Sequence, residues 1–154
     1  MEIQVKSSNN LLPNALSKNL TNDKINLSIL IPVYNERHLV AASVNRVLAL
    51  KSDLISRLEV IIVDDCSQDG SWNIIQQIAA HDERVRAVRQ KHNQGKGAAI
   101  RTARDLATGD VCVVHDADME YDPIDLPALL VPFIEEGADA VLVRAISPLP
   151  TGAP

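Results

Sequence analysis

The chain has 154 residues, enough for one domain with a sizeable hydrophobic core. Hydrophobic residues make up 46% of it, and the net charge of -5 argues against a general nucleic-acid-binding protein, which would normally be basic. No apolar run approaches the roughly 18 residues that a membrane span needs, and two cysteines, Cys66 and Cys112, are too few for a disulfide framework. We therefore expect a cytoplasmic chain, and leave open a peripheral position at a membrane.

Composition divides the chain into three parts. Residues 1–26 are rich in Asn, Ser and Lys and lack a clear period, so we expect a mobile leader, with a short helix near residues 11–20. Residues 27–145 carry the regular apolar pattern of one folded domain. Residues 146–154 form a proline-rich tail for which no helix or strand is predicted.

Apolar runs rich in Val and Ile alternate with helical patterns along the folded part. The runs predict strands at residues 27–33, 58–64, 85–88, 111–114 and 140–143. The first predicted helix is capped by Asn35, carries Glu36 in its first turn and ends near Leu50. The later helices cover residues 72–80 and 98–106, and a last one begins at Pro123 and ends near Glu136. This alternation predicts an α/β fold with a mostly parallel sheet and helices on both faces.

Acidic residues follow several of the predicted strands. In open α/β sheets, ligands bind beyond the carboxyl ends of the strands, where the strand order reverses. So many carboxylates on one rim would raise one another's pKa values, and Mg²⁺ or Mn²⁺ would relieve the repulsion. The acids at this rim are Glu36, Asp64, Asp65, Asp69, Asp116, Asp118 and Glu120.

Asp116-Ala117-Asp118 is the sharpest of these features. It directly follows a buried strand, and the small Ala117 lets both carboxylates sit near one ion. The alternative is a turn that uses aspartate for local hydrogen bonds. His115, just before the pair, is expected to be a packed histidine at the strand end.

A glycine-containing turn covers residues 93–99. It is not a P-loop, because Gln90 and Gly97 stand where Gly and Ser or Thr are required, and Ile100 replaces the third glycine of a dinucleotide fingerprint. Backbone amides at the start of the next helix, with Lys96 beside them, could meet phosphate. A plain loop into a helix is the other interpretation. The cations between Arg84 and Arg104 likewise fit either a solvated face or a phosphate-binding surface.

Four segments together resemble glycosyltransferase family 2, in the branch of the dolichyl- or polyprenyl-phosphate sugar transferases. They are IPVYNE at residues 31–36, VDDCSQDGS at 63–71, NQGKGAAI at 93–100 and DADMEYDP at 116–123. The resemblance implies a GT-A fold, of which this chain holds the nucleotide-binding half. It also implies an inverting, metal-dependent transfer of a sugar from a GDP- or UDP-sugar to a lipid-phosphate acceptor or another acceptor of a glycan pathway.

The resemblance further implies the roles of individual residues. In the family, positions matching Pro32, Tyr34 and Glu36 hold the base and ribose, and the position matching Asp65 hydrogen-bonds the base. Asp116 and Asp118 match the acids that carry Mg²⁺ or Mn²⁺ on the diphosphate, and Glu120 falls where a third ligand can occur. The full set expected to bind the nucleotide sugar is Pro32, Tyr34, Glu36, Val63, Asp65, Lys96 and Ala117.

The end of the sequence departs from the family pattern. Val143-Arg144-Ala145 stands where such enzymes usually have Gly-Ser-Arg, and no acceptor region or catalytic base is found. We therefore expect a truncated enzyme that binds donor weakly and turns over little or nothing. A non-catalytic nucleotide- or partner-binding remnant is the main alternative. A metal-dependent phosphohydrolase is disfavoured, because Tyr34-Asn35 stand where its nucleophilic Asp would be. An open sheet edge after the last strand predicts self-association.

Overall fold

The computed structural model describes residues 2–5, 24–135 and 140–142. Within these residues, six strands form one sheet in the order β4-β3-β2-β5-β1-β6. In chain order, the elements are β1 Glu2–Val5, β2 Ile25–Val33, α1 Val40–Leu48, β3 Ile55–Asp64, α2 Ser71–His81, β4 Val85–Arg89, α3 Lys96–Leu106, β5 Val111–Val114, a short 3-10 helix Pro123–Asp125, α4 Leu126–Glu135 and β6 Ala140–Leu142.

Parallel pairing builds the centre of the sheet around β2. This strand pairs in parallel with β3 on one side and with β5 on the other, and β4 pairs in parallel with β3. Their apolar runs are nearly continuous because the strands are buried on both faces. The predicted strands are confirmed, with small differences at their ends, as is the mostly parallel α/β sheet.

Different helices cover the two faces of the sheet. Helices α1, α2 and α4 pack on one face through buried side chains such as Val44, Ile75 and Leu130. Helix α3 covers the other face, where Ala99 and Ala103 pack with side chains of β2, β3 and β5. The second face also buries Cys112, which is 2% exposed. Helices therefore lie on both faces, as the sequence predicts.

The first helix begins later than predicted. Helix α1 starts at Val40, with Leu39 at its N-cap position, whereas Asn35 lies in a preceding turn with a φ of 54°. The Oδ1 atom of Asn35 accepts a hydrogen bond from the Gln68 amide at 2.9 Å. The predicted cap is wrong because a contact with the next strand-end loop uses this side chain. Similarly, Pro123 opens the 3-10 helix, and α4 follows it.

A strand that the sequence analysis does not predict lies at the start of the chain. Strand β1 runs antiparallel to both β5 and β6, with Ile3 opposite Val113 and Val141. The expected leader therefore does not hold for residues 2–5, whose partners lie more than a hundred positions away and leave no local period. The helix predicted near residues 11–20 and the tail at 146–154 lie outside the described residues. Strand β6 lies at one edge of the described sheet, and self-association through that edge stays a prediction.

Glu59 of β3 forms hydrogen bonds with β2 and with the residues just before β5. Its carboxylate accepts hydrogen bonds from the Ser28 hydroxyl, from the Thr108 amide at 2.6 Å and from the Gly109 amide at 3.1 Å. Gly109 has no room for a side chain, because a Cβ there would lie 2.5 Å from Ser28 Oγ. Burial raises the pKa of Glu59, but the hydrogen bonds from Ser28, Thr108 and Gly109 together lower it below its ordinary value.

The Ile3→Pro substitution tests the role of β1. Because β1 lies between two strands, each of its N–H groups faces one of them, and proline at position 3 removes one ladder donor. We expect Ile3→Pro to lower the free energy of unfolding by about 1–3 kcal/mol and to speed hydrogen exchange of the β6 amides. The Ile3→Ala variant keeps the N–H group and serves as the control. Equal stability and exchange in the two variants would contradict the role given to β1.

The Glu59→Gln substitution should lower the free energy of unfolding by an amount that depends on pH. Because the folded-state pKa of Glu59 lies below the unfolded value, its carboxylate stabilises the fold fully above about pH 5. That stabilisation is lost as the pH falls through the folded pKa, below 4.5. In urea titrations from pH 7 to pH 3.5, the stability gap between the parent chain and Glu59→Gln should therefore close on the acid side. The exposed Glu83→Gln provides the matched control, and a gap that stays constant with pH would exclude this explanation.

Candidate functional site

A cavity of about 390 Å³ opens at the carboxyl ends of β2, β3 and β5. The strand order reverses here, because β3 and β4 lie on one side of β2 and β5 lies on the other. This is the position where open α/β sheets bind ligands. All of the residues predicted to bind the nucleotide sugar or the metal line the cavity, except Val63 and Glu120. The full lining is Pro32, Val33, Tyr34, Glu36, Asp65, Asn93, Gly95, Lys96, Ala99, Asp116, Ala117 and Asp118.

The cavity exists because β2 and β5 part before β2 ends. Their parallel pairing stops at Leu30 opposite Val114, with one further bond from the His115 amide to the Leu30 carbonyl at 2.9 Å. Successive residues of a strand turn their N–H and C=O groups to opposite edges, so Pro32 faces the same side as Leu30. Proline has no N–H to donate, and here β5 has no residue left to receive one. The chain of β5 turns away instead, and Pro32 and Ala117 become walls of the cavity.

The loops after all three strands contain a residue in the left-handed region. Asn35 follows β2 with a φ of 54°, Cys66 follows β3 with 62°, and Met119 follows β5 with 66°. Asparagine tolerates this conformation, whereas cysteine and methionine rarely adopt it. Backbone strain of this kind clusters at functional sites, where the surrounding structure holds it in place.

Side chains of the loop after β3 hold the loop after β2. The amide of Asn35 donates to Ser67 Oγ at 2.9 Å, that of Glu36 to Ser71 Oγ at 2.9 Å, and that of Arg37 to Asp69 Oδ2 at 3.0 Å. Two cavity residues, Tyr34 and Glu36, therefore sit on a backbone that is fixed from the neighbouring strand.

Asp69 belongs to this bracing, whereas the sequence analysis places it among the acids at the rim of the cavity. Its Oδ1 accepts from both the amide and the hydroxyl of Ser71, at 2.9 and 2.6 Å. Burial raises the pKa of Asp69, but the hydrogen bonds from Ser71 and from the Arg37 amide lower it below its ordinary value. The carboxylate is thus held in its charged form by the loops that it joins.

Asp65 positions the glycine turn. It is 2% exposed, and its two carboxylate oxygens accept hydrogen bonds from the amides of Gln94 and Gly95 at 2.8 and 2.7 Å. Gly95 has a φ of 87° and precedes Lys96, the first residue of α3. Asp65 therefore fixes both the turn and the start of α3 at the edge of the cavity. The predicted contact with a nucleotide base has to be made by lone pairs that remain on the same two oxygens.

Asp64 is part of the support beneath the cavity. It is fully buried, its Oδ2 accepts from the Ser67 amide at 3.1 Å, and Arg89 Nε lies 3.1 Å from the same oxygen. The guanidinium of Arg89 also lies over the ring of Trp72, 6.0 Å from its centroid. This pairing compensates the buried charge, so Asp64 is removed from the acids available at the rim.

The loop after β5 places Asp116 and Asp118 differently. The ammonium of Lys96 lies 2.7 Å from each carboxylate oxygen of Asp116. Asp118 is exposed, and its Oδ1 accepts from the Glu120 amide at 3.1 Å. Glu120 does not line the cavity, and within the described residues no three His, Cys, Asp or Glu side chains are close enough to hold a metal ion. The predicted set of three carboxylate ligands is therefore not assembled here.

Two other expectations have clear outcomes. Val63 is fully buried and packs in the core beneath α3, away from the cavity. His115 is 2% exposed, with Nε2 lying 3.2 Å from Ser43 Oγ of α1, so the expected packed histidine is confirmed. Burial lowers the pKa of His115, against the neighbouring carboxylates of Asp116 and Asp118, which raise it. Its neutral ring therefore joins the acidic loop to α1.

Four of the seven cations between Arg84 and Arg104 form ion pairs, two of them with aspartates one or two positions away and two with Asp64 and Asp116 at the ends of β3 and β5. Lys96 is the member of this group that lines the cavity. The four pairs are Arg84 with Asp82, Arg89 with Asp64, Lys96 with Asp116 and Arg104 with Asp105.

Sequence reasoning missed the bracing serines and the cavity residue Asn93. Ser67 and Ser71 hold backbone amides of another loop, a role that depends on tertiary contact and not on local pattern. Asn93 lines the cavity from the turn that Asp65 fixes. Its place at the head of the Asn-Gln-Gly turn is the signal that could have identified it.

The family model described as Glycosyl transferase family 2 matches residues 28–150. The chain belongs to glycosyl transferase family 2. It is 39% identical over 116 residues to the undecaprenyl-phosphate 4-deoxy-4-formamido-L-arabinose transferase of Pseudomonas syringae pv. syringae (strain B728a), covering 75% of this chain and 34% of that protein. The enzyme of the same name from Proteus mirabilis (strain HI4320) is 36% identical over 126 residues, covering 80% of this chain and 38% of that protein.

Solved structures of glycosyltransferases share the fold. The mannosyltransferase PcManGT from Pyrobaculum calidifontis, in complex with GDP-Man and Mn²⁺, superposes with a TM-score of 0.61 and 27% identity, over 73% of this chain and 33% of that one. S. aureus TarS 1-349 in complex with UDP superposes with a TM-score of 0.67 at 21% identity, over 84% of this chain and 38% of that one, and supports the fold alone.

These likenesses show that the chain belongs to family 2 and has the GT-A, Rossmann-like sheet of that family, and the family assignment replaces the phosphohydrolase alternative. The chain spans about a third of the length of the curated relatives it matches. Among the described residues, no helix has both the length and the apolar character to cross a membrane.

The Asp65→Asn substitution tests whether the carboxylate fixes the glycine turn. The new amide offers one acceptor oxygen and turns an NH₂ group towards a backbone N–H. Hydrogen bonds to charged groups contribute about 1.5–3 kcal/mol, so we expect a loss of stability of that order in urea unfolding. Amides of residues 94–97 should also exchange faster with solvent. The exposed Asp105→Asn is the control. If Asp65→Asn matched it in both measurements, the turn would have to be held by other contacts.

Proposed function

We propose that residues 27–145 form a donor-binding unit that holds a nucleoside-diphosphate sugar in the cavity at the ends of β2, β3 and β5. The observation that carries the proposal is the joint lining of one cavity by Tyr34, Glu36, Asp65, Lys96 and the acidic loop. An aromatic ring, hydrogen-bonding groups, a cation and carboxylates are the chemistry that a base, a ribose and a metal-bound diphosphate require.

The base and ribose fit the side of the cavity near β3. Tyr34 is 47% exposed, so its ring is available for stacking on a base. Pro32 and Val33 supply an apolar wall beside it, and Glu36 offers a carboxylate to ribose hydroxyls. The mannosyltransferase PcManGT carries GDP-Man, and the family resemblance leaves both GDP and UDP open, so both nucleotides are candidates for this chain.

The diphosphate fits the side near Lys96 and the loop after β5. The side-chain oxygens of Asp116 and Asp118 are the hard ligands that suit Mg²⁺ or Mn²⁺, and the ion completes its shell with phosphate and water. The ammonium already seated on Asp116 supports the fit, because it marks that carboxylate as a position that draws positive charge. Such an ion would supply Lewis-acid stabilisation of the departing nucleoside diphosphate. Lys96 and the N-terminus of α3 add positive charge on the same side.

Transfer to an acceptor needs more than this cavity. The relatives are named as undecaprenyl-phosphate transferases, and a polyprenyl phosphate acceptor would bring the chain to the cytoplasmic surface of a membrane. Transfer with inversion requires an acceptor held in line with the sugar carbon and a group to take its proton. No described residue is a clear candidate for that base. We therefore propose donor binding as the activity of residues 27–145, with little or no turnover by this chain alone.

Calorimetric titration of UDP and GDP with Mn²⁺ tests the proposal. We expect one of the two to bind with Mn²⁺ present, and Asp118→Ala to weaken that binding by about 10- to 100-fold, equivalent to about 1.5–3 kcal/mol for contacts to a charged group. The matched control is Asp105→Ala, an exposed aspartate on α3 outside the cavity.

The outcomes separate the candidate functions. Metal-dependent binding that Asp118→Ala weakens and Asp105→Ala does not would support the donor site. If the folded parent chain bound neither nucleotide, the chain would be a family member without donor binding, as the remnant alternative holds. Binding that is equal in both variants would mean that the nucleotide sits elsewhere or that Asp118 holds no metal.

A further inference from the structure

Lys96 makes a contact that the donor-binding role leaves unexplained. Its Nζ atom lies 2.7 Å from both oxygens of Asp116, so the ammonium sits across the carboxylate. The two residues come from different elements of the cavity lining, because Lys96 is the first residue of α3 and Asp116 follows β5. The pair therefore joins two elements of the cavity lining, the start of α3 and the loop after β5.

We propose that Lys96 is an internal counter-cation, which occupies Asp116 until a divalent cation takes its place and which is then released to the diphosphate. The inference rests on the proposed function, since it concerns the same cavity. It assigns Lys96 a positioning role that couples metal binding to nucleotide binding, beyond that of a simple phosphate contact.

Competition follows from the geometry of the pair. A divalent ion needs carboxylate oxygens, and both oxygens of Asp116 already face the ammonium. A metal that arrives alone must break this ion pair and leave Lys96 unpartnered in the cavity. Asp118 lies in the same wall and offers the entering ion a second carboxylate.

Cooperation with the nucleotide follows from the side chain of lysine. Its flexible stem lets the ammonium move while α3 stays in place, and the Lys96 side chain is 59% exposed, so it has room to move. When metal and diphosphate bind together, the metal binds the Asp116 carboxylate and the Lys96 ammonium pairs with the phosphates. Both charges of the original ion pair then have a new partner. Each ligand should therefore bind more tightly in the presence of the other, by the same factor.

The Lys96→Met variant separates this role from a plain phosphate contact, because two titrations should change in opposite directions. Mn²⁺ alone, followed by the loss of the free-ion EPR signal, should bind about two- to fivefold more tightly, the range expected when an ion pair that contributes up to about 1 kcal/mol no longer competes. The nucleotide that binds the parent chain with Mn²⁺ should bind more weakly to the variant. The factor by which Mn²⁺ improves nucleotide binding should also fall.

Two variants control for charge and for the ion pair itself. Lys91→Met removes the same charge from an exposed residue outside the cavity, and it sets the baseline for the nonspecific effect of charge on Mn²⁺ binding. Lys96→Arg keeps a cation that can reach Asp116, so Mn²⁺ alone should bind to it much as to the parent chain. Far-UV circular dichroism checks that each variant is folded.

The result that overturns the inference is distinct from failure of the proposed function. If Lys96→Met bound Mn²⁺ alone no more tightly than Lys91→Met, Lys96 would not compete with the metal for Asp116, even with nucleotide binding intact. If the parent chain bound no nucleotide, the proposed function would fail, and the titration with Mn²⁺ alone would still decide whether Lys96 competes for Asp116. Tighter binding of Mn²⁺ by Lys96→Met than by both Lys91→Met and Lys96→Arg would support the inference.

Discussion

The parting of β2 and β5 beyond Leu30 is the constraint on which the site depends. Parallel strands joined along their full length would leave no space between them, and side chains beyond their ends would face open solvent. Here the ladder stops before Pro32, a residue that cannot donate to a partner strand. The gap becomes a cavity, and the chain after β5 crosses its far side with Asp116 and Asp118.

The loops around this gap are held in place by hydrogen bonds to one another. The loop after β3 holds the loop after β2 through Ser67, Ser71 and Asp69, and Asp65 holds the turn before α3. Each of the loops after β2, β3 and β5 holds a non-glycine residue in the left-handed region, a conformation that the surrounding contacts have to maintain. Rigid loops reduce the ordering that a ligand would otherwise have to impose on binding.

The sequence could predict the sheet and most of the cavity wall. It could not predict which acidic side chains hold the loops together and which remain available in the cavity. Continuous apolar runs reveal strands buried on both faces, and parallel strands bring their following loops to one edge. The roles of Asn35, Asp65 and Asp69 depend on which backbone amide each side chain meets in another loop, and no local period records that. Strand β1 was not predicted for the same reason, since its pairing with β5 spans most of the chain.

Electrostatics explains why so many acids are tolerated in one place. Asp64 is paired with Arg89, Asp69 accepts hydrogen bonds from a neighbouring loop, and Asp65 is satisfied by two amides, so three of the carboxylates support the fold. Asp116 has Lys96 as a movable partner, and Asp118 remains exposed in the cavity wall. The acids thus divide into three that the fold uses for ion pairs or hydrogen bonds and two, in the loop after β5, that lie in the cavity lining. On the proposed function, a divalent cation would bind at Asp116 and Asp118 and would leave in place the carboxylates that hold the loops together.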